Sequence, residues 1–347
     1  MKRSLLRLCS LILAAALLLP LLAACGYRPV KSTEWEATPV FTLGEATVNM
    51  EMLHTFFYTQ CDDIPGFSEL YFSGDAGALR FAAVRDAAVR EIAGVYALFA
   101  VCQAVGIDPY SEDIDDKITE YIEISVEGGA LGDQTLRGFE SYDDYLAHIR
   151  KYYHMNDAVN RLMIRYALCE ELLSEYYSTQ YRHTEADVTA FFESEDCIRI
   201  IWVNRLANSA GLDLAGNLEL MTKARDNLIA GKFEEAIWYS LSETTDFYMG
   251  RYTMDPLYYG ELIEAAYAME VGDTSRIMDL GSLGYYVFSK RAKESSALST
   301  QYRQIEKLYL GDVMYGEIAK KQEELLQGIV YTDFYRGLTP DGILNAQ

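Results

Sequence analysis

Cys25 is the residue whose neighbours point most directly to covalent chemistry. It ends a Leu22-Ala23-Ala24-Cys25 motif, and the small residues before the cysteine are those that a signal peptidase of the lipoprotein type must admit. The motif follows an apolar run from Leu11 to Leu19 and, before that, the basic residues Lys2, Arg3 and Arg7, which is the order of an export signal. We therefore predict that residues 1–24 are removed and that Cys25 is diacylated on its sulfur, since two acyl chains anchor a protein stably. The alternative is an ordinary secretory signal with an incidental cysteine.

The other cysteines and the histidines are scattered along the chain. No close pair of the CxxC type occurs among the four cysteines after the anchor, which are Cys61, Cys102, Cys169 and Cys197. Zinc and redox sites use close pairs, so we expect small buried thiols, with one or two disulfides as the alternative in an exported protein. The histidines are His54, His148, His154 and His183. This dispersion predicts no metal site, and nothing in the sequence calls for a cofactor.

A cluster of acids follows Ser111. It comprises Glu112, Asp113, Asp115 and Asp116. The alternation of Asp113 and Asp115 resembles the start of a calcium loop, but the loop glycine and the terminal glutamate are missing. Carboxylates at the start of a helix are favoured by the helix dipole, so Ser111 is predicted to cap a helix here.

The chain is strongly acidic. Its formal charge is −22, which becomes −25 once Lys2, Arg3 and Arg7 are removed with the signal. Proteins that bind nucleic acids carry basic patches that displace counterions from phosphate, and no such patch is present, so this partner is excluded. An acidic balance suits a protein that stays soluble outside the cytoplasm.

The apolar pattern changes twice along the chain. Residues 25–40 have no period and suit a lipidated tether, and a short extended pair near Phe41 opens a region of amphipathic helices that continues to residue 183. Between 184 and 291, strand-like runs such as Ile198–Val203 alternate with helices, and residues 292–347 return to a helix. The predicted fold class is α+β: a mainly helical body of residues 41–183, interrupted by an α+β domain at 184–291, with a C-terminal helix that packs back on the N-terminal domain.

Five stretches of the α+β region resemble the parvulin domain of the PrsA/SurA foldases. They are Thr184–Phe192, Ile198–Val203, the residues Ala224, Leu228, Gly231, Phe233 and Ser242, the segment Glu264–Asp273, and Gly284–Phe288. The resemblance spans about 110 residues, the size of one domain. The helical remainder is similar to the SurA N-terminal body only in pattern.

The resemblance implies a site that has lost part of its chemistry. Parvulins carry two facing histidines, and these positions fall on Ile200 and Tyr286 here; a carboxylate remains near their acid or thiol, at Glu243. The residues of the proline pocket align with Tyr258 and Leu262. We therefore predict that Ile200, Tyr258, Leu262 and Tyr286 bind peptide, with Glu243 as a weak catalytic candidate, and that Tyr258, Tyr259, Tyr285 and Tyr286 form an aromatic groove.

The implied function is that of an extracytoplasmic chaperone and foldase. It would bind unfolded or proline-containing exported polypeptides, remain attached to the membrane through Cys25, and have peptidyl-prolyl isomerase (rotamase) activity that is reduced or absent. A homodimer is compatible with the sequence. The alternatives are a solute-binding lipoprotein or a structural lipoprotein of the cell envelope.

Overall fold

We describe the protein from a computed structural model. The described residues are 29–62, 64, 66–131, 134–136, 138–205, 214–241, 245–254, 256–280 and 284–344, without the side chains of 130, 131, 134–136, 214 and 256–258. The predicted signal peptide, the lipidation site Cys25 and the catalytic candidate Glu243 lie outside these residues. The chain divides into two compact units: residues up to Leu172 with Ile318–Gln347 form unit 1, and Leu173–Glu317 form unit 2.

Unit 1 combines segments from both parts of the sequence. Its helices are α1 (Met50–Asp62), α2 (Gly77–Ala104), α3 (Glu112–Glu127), α4 (Tyr142–Tyr153), most of α5 (Asp157–Thr179), the end of α11 (Tyr302–Gln327), α12 (Asp333–Arg336) and α13 (Pro340–Leu344), with a 3₁₀ turn at Glu69–Phe72. Its strands are β1 (Pro39–Leu43), β2 (Ala46–Asn49), β3 (Gly129–Leu131), β4 (Gln134–Leu136) and β9 (Val330–Tyr331).

The core of unit 1 is the α1–α2 pair beside a small antiparallel sheet. Gly44, at φ 58, makes the tight turn between β1 and β2, as the sequence predicts. β1 also pairs with β9, so Phe41 lies opposite Tyr331. Helix α2 is long and apolar enough to cross a membrane, yet it packs on α1 as a core helix, with Ile92, Leu98 and Cys102 fully buried. Ser111 precedes α3 as predicted, but its hydroxyl makes no capping hydrogen bond.

The segment predicted to be a free tether is bound to unit 1 from Val30 onward. The Val30 amide donates to Oδ2 of Asp157 at 2.7 Å, and the Ser32 hydroxyl donates to Glu51. Asp157 is buried and also accepts from Arg161 Nε at 3.1 Å. Contacts with unit 1 thus begin before Phe41, because a buried carboxylate requires donors and the chain before Phe41 supplies one.

Unit 2 is a four-stranded antiparallel sheet with helices on both faces. Its elements are the end of α5, α6 (Glu185–Glu193), β5 (Ile198–Arg205), α7 (Leu214–Ile229), α8 (Phe233–Ile237), β6 (Asp246–Met249), α9 (Pro256–Ala268), β7 (Met278–Asp279), β8 (Tyr285–Arg291), α10 (Ala297–Thr300) and the first part of α11. The strand order is β6-β5-β8-β7. The sequence pattern of Lys223–Ile237 predicts one helix with Gly231 near its middle, but Gly231, at φ 73, separates α7 from α8, because this left-handed conformation ends a helix.

Two broader predictions are confirmed. The fold is mainly helical with an α+β part, and the four described cysteines are free thiols in buried positions. Cys102 and Cys169 lie close together, with the Cys102 thiol donating to the Cys169 carbonyl oxygen at 3.6 Å. A small apolar side chain with a weak donor is well suited to such sites.

Candidate functional site

The sheet of unit 2 has two different faces because side chains alternate along a strand. On one face, Ile200 of β5, Phe288 of β8 and Leu262 of α9 belong to one buried cluster. On the other face, Val203 and Val287 pack against Met221 of α7. The sheet thus holds α9 on one side and the α7–α8 pair on the other, and each face is a separate candidate for a site.

Four aromatic residues gather on the α9 face, and we call them the aromatic cluster: Trp202, Phe247, Tyr259 and Tyr286. The Trp202 ring lies 5.0 Å from Phe247 and 5.4 Å from Tyr286, measured between centroids. Tyr259 meets Tyr286 edge-on at 5.9 Å. Tyr286 is buried, whereas the other three are half-buried and pack against the core from its margin. Such rings offer a large apolar surface together with polar tips.

A chain of polar groups lies behind the aromatic cluster. Asn204 is directly opposite Tyr286 across the strands, and the Tyr286 hydroxyl is hydrogen-bonded to the side chains of Asn204 and Tyr259. The Ser240 hydroxyl donates to Asn204 Oδ1 at 2.9 Å. Burial, and then the bond to Tyr259, raise the pKa of Tyr286 to about 12, so its hydroxyl stays protonated at neutral pH. These polar side chains can hold the rings in place and donate hydrogen bonds. They do not include a base that would accept a proton near neutral pH.

The structure brings together three of the predicted peptide-binding residues. Ile200, Leu262 and Tyr286 belong to the same buried cluster, and the first two are 0% exposed. Ile200 and Leu262 therefore form the floor beneath the aromatic cluster, to which Tyr286 itself belongs. Tyr258 lies on α9, and its side chain is outside the described part of the structure, as is Glu243.

Two details of the predicted groove are corrected by the strand register. Ile200 lies opposite Lys290, and the residues that face Tyr286 are Asn204 directly and Trp202 diagonally. The position directly opposite Tyr286 is thus four residues beyond Ile200 on the same side of β5, and the diagonal position is two residues beyond it. Tyr285 belongs to the opposite face of the sheet, since it neighbours Tyr286 on the strand, so the expected groove of four tyrosines is wrong at this residue.

Sequence reasoning missed Trp202, Phe247 and Asn204. The alternation of β5 places Trp202 and Asn204 on the same side as Ile200, and that signal was available in the sequence. Phe247 lies on β6, a short strand that was not predicted.

Unit 1 contains a cavity of its own, with a volume of about 470 Å³. Its walls include Trp35, His54, Tyr58, Arg150 and His154. Tyr58 stacks on His154 at 4.2 Å, and His54 lies 4.8 Å from Tyr58. Burial, followed by the nearby His154, lowers the pKa of His54 to about 4. Among the described residues, no three side chains of His, Cys, Asp or Glu are grouped closely enough to hold a metal ion.

Comparisons with known proteins extend the sequence resemblance to solved structures. No protein-family model matches the chain, and no curated protein matches it. The crystal structure of PrsA from Bacillus subtilis matches at 16% identity and a TM-score of 0.26, over 79% of this chain and 97% of that one. Foldase protein PrsA from Streptococcus pneumoniae matches at 15% identity and a TM-score of 0.30, over 89% and 98%.

A third solved structure belongs to the same group. The peptidylprolyl isomerase PrsA from Bacillus anthracis matches at 13% identity and a TM-score of 0.27, over 69% of this chain and 96% of that one. These three solved structures are thus all PrsA proteins. Because the TM-scores are low, the likeness assigns no role to individual residues of this chain.

Proposed function

We propose that this chain is an extracytoplasmic folding factor, held at the membrane by a lipid on Cys25. Its α9 face binds extended or proline-containing segments of unfolded exported proteins. The observation that carries the proposal is the aromatic cluster, in which three half-buried rings border a buried floor. An apolar floor with an aromatic border suits a proline ring and its neighbours, while tyrosine hydroxyls remain able to bond the peptide backbone.

The isomerase activity is proposed to be reduced or absent. Prolyl isomerisation needs no covalent step, but it must overcome an amide resonance barrier of about 18–20 kcal/mol. The resemblance places the two histidines of the family at Ile200 and Tyr286, and the residues that face Tyr286 in this chain are Asn204 and Trp202. Replacement of the histidines affects peptide binding less than catalysis. Only catalysis depends on groups that stabilise the twisted amide of the transition state.

The pairing of the strands disfavours a solute-binding alternative. Two-lobed α/β proteins of that kind alternate strands and helices into parallel sheets. All strand pairs between the described residues are antiparallel. The folding-factor proposal needs no such alternation.

The proposal is tested on a soluble chain that begins at residue 26, without the lipidated cysteine, which keeps every contact of the described structure. Binding of a proline-containing peptide is measured for the parent, for Tyr259→Ala and for Tyr239→Ala. Tyr239 is a matched control, because it is also a half-buried tyrosine but packs on the opposite face of the sheet. We expect Tyr259→Ala to weaken binding about tenfold, as for an aromatic residue central to an interface, and Tyr239→Ala to leave it unchanged.

Two further assays separate a binding module from an enzyme. One follows cis–trans exchange of the same peptide, and the other follows aggregation of an unfolded protein. Suppressed aggregation with little or no acceleration of exchange is the expected result. Equal loss of peptide binding in Tyr259→Ala and Tyr239→Ala would contradict the proposal. So would a parent chain that neither binds the peptide nor suppresses aggregation of the unfolded protein.

A further inference from the structure

The cavity of unit 1 has the size and the lining of a binding site for a small chemical group. Its volume of about 470 Å³ lies within the usual range of ligand sites, about 300–1,000 Å³. Four half-buried rings line it, and each contacts the next in the order Trp35, His54, Tyr58 and His154. Every residue that lines this cavity belongs to unit 1, so the cavity is independent of the aromatic cluster of unit 2.

Glu51 contributes a negative charge to the lining of this cavity. Its Oε2 atom accepts hydrogen bonds from the Ser32 hydroxyl and, at 2.8 Å, from Nδ2 of Asn156. Both donors are neutral, and within the described ranges of the chain no basic side chain pairs with Glu51 and no donor reaches its Oε1 atom. Because Glu51 is half-buried, a cation beside it would be attracted more strongly than in bulk water.

The two basic residues of the cavity are already engaged elsewhere. Arg150 is paired with Glu36 at 2.9 Å, so these two charges neutralise each other. Lys151 is exposed, and its ammonium lies 4.8 Å from the centre of the Tyr152 ring, which does not line the cavity. Neither residue therefore serves as the counterion of Glu51.

The two histidines add no unbalanced positive charge. Burial, followed by the nearby His154, lowers the pKa of His54 to about 4, so its ring is neutral at neutral pH. Nε2 of His154 lies 3.6 Å from Oδ2 of Asp62, so a proton on this ring would be balanced by a carboxylate. The carboxylate of Glu51 is thus the uncompensated charge of an otherwise aromatic lining.

We propose that the unit 1 cavity binds an alkylammonium or guanidinium group, with Glu51 as its counterion and the rings of Trp35 and Tyr58 as part of its walls. Cations of this kind are attracted to aromatic faces, and they form charge-assisted hydrogen bonds with a carboxylate. The net charge of −22 also favours the approach of cations to this protein. The group can belong to a small amine or to a lysine or arginine of a polypeptide, since both present the same chemistry.

The test measures the fluorescence of Trp35 at the cavity wall. It uses the soluble chain from residue 26 onward with Trp202→Phe and Trp238→Phe, so that Trp35 is the only tryptophan. The probes, near neutral pH, are n-butylammonium, N-acetyl-lysine amide and the neutral N-acetyl-norleucine amide. We expect a saturable change of fluorescence with the two cations and binding of the norleucine derivative that is about tenfold weaker, because it lacks the charge that pairs with Glu51.

The variant Glu51→Gln removes the charge and keeps an oxygen that can accept from Ser32 and Asn156. We expect it to weaken binding of both cations about tenfold, the usual effect of losing a hydrogen bond between charged groups. Glu45→Gln is the matched control, because it removes the same charge from an exposed carboxylate in the β1–β2 turn, outside the cavity. This control is expected to bind like the parent. The norleucine probe tests the charge on the parent cavity, so the proposal stays testable if Glu51→Gln fails to fold.

A glycine peptide with one central lysine separates the two sources of the cation. Tighter binding of this peptide than of n-butylammonium would assign the cavity to basic side chains of polypeptides, and equal or weaker binding would assign it to small amines. The proposal would be overturned by the absence of a saturable response to either cation, by equal binding of the lysine and norleucine derivatives, or by equal binding to Glu51→Gln and the parent. Because Trp35 reports only on unit 1, failure here would leave the function proposed for the α9 face intact, and the reverse also holds.

Discussion

Burial of the His54 side chain makes the stability of unit 1 depend on pH. Its ring lies against Trp35 and Tyr58 at the cavity wall, and burial is the main reason that its pKa falls from 6.5 to about 4. His154, Glu36 and Arg150 are the charged or titratable groups that also act on it. In the folded protein, His54 is therefore neutral at a pH where the unfolded chain already binds a proton.

The pH dependence follows from this difference. Above about pH 6.5 the imidazole is neutral in both states, and the free energy of unfolding is unaffected by its titration. As the pH falls from 6.5 toward 4, only the unfolded chain takes up the proton, so stability is lost. With about 1.4 kcal/mol for each pKa unit, the loss attributable to His54 between pH 6.5 and 4 is about 3 kcal/mol.

Urea unfolding at pH 7 and at pH 4.5 measures this effect. We expect His54→Gln to lose less stability than the parent over that interval. His148→Gln on α4 is the control and should show the parent's loss, since His54 remains in place. A parent and a His54→Gln variant with the same pH dependence would show that the burial of this imidazole does not control stability.

At the scale of single elements, α6 shows how local signals set a boundary. Thr184 accepts a hydrogen bond from the Asp187 amide at 3.2 Å, and Oδ2 of Asp187 accepts from the Thr184 amide at 2.8 Å. This reciprocal capping box satisfies two amides at the start of the helix. Behind it, Val188 and Phe192 pack into a buried cluster with Tyr248.

Removal of the cap is predicted to destabilise unit 2 by about 1 kcal/mol, the usual effect of losing a threonine cap. The change is Thr184→Ala, and the measurement is hydrogen exchange of the amides of α6 and β5. Thr189→Ala is the matched control on the same helix, because the Thr189 hydroxyl only donates to the Glu185 carbonyl oxygen. Equal exchange in both variants would argue against a role of the capping box.

The elements that could be predicted from sequence are those that neighbouring residues determine, through apolar periodicity or a turn residue. The helix α2 and the strand β5 follow from apolar periodicity, and the β1–β2 turn follows from Gly44. The short strands β6, β7 and β9 were missed, because two to four residues carry no usable period and form strands only through their partners.

The candidate site shows the same limit. The predicted residues Ile200, Leu262 and Tyr286 lie on one face of the sheet, since that face is encoded by alternation and helical spacing. The residues that face Tyr286 could not be identified without the register of β5 and β8, which depends on contacts about 80 residues apart in the sequence. The binding of Val30 to Asp157 is likewise a long-range contact, and no local pattern indicates it.

At the scale of the molecule, unit 1 is built from two distant parts of the chain. Thr42 of β1 pairs with Val330 of β9, the Thr332 amide donates to Val40 at 3.0 Å, and Tyr58 donates to the Leu344 carbonyl oxygen at 2.9 Å. Unit 2, residues 173–317, is a continuous segment with its own buried clusters.

A chain that ends at residue 317 is therefore predicted to keep unit 2 folded while unit 1 is strongly destabilised. The lost segment includes Tyr335, which is buried against Phe41, and burial of one such ring contributes about 1.5–3 kcal/mol. Limited proteolysis should cleave first within residues 30–172 and spare 198–291. Protection of both regions in the shortened chain would contradict this prediction.

The pairing of β1 with β9 also bears on the order in which an exported chain matures. If the chain is exported as proposed, β1 emerges first and its partner follows almost 290 residues later, so the edge of β1 that pairs with β9 stays open until the end of translocation. Unit 2 can fold as soon as it emerges, because its contacts lie within one segment. During its own export the chain is then only partly folded, and unit 1 is completed last. In that state it resembles the unfolded exported proteins that we propose it binds.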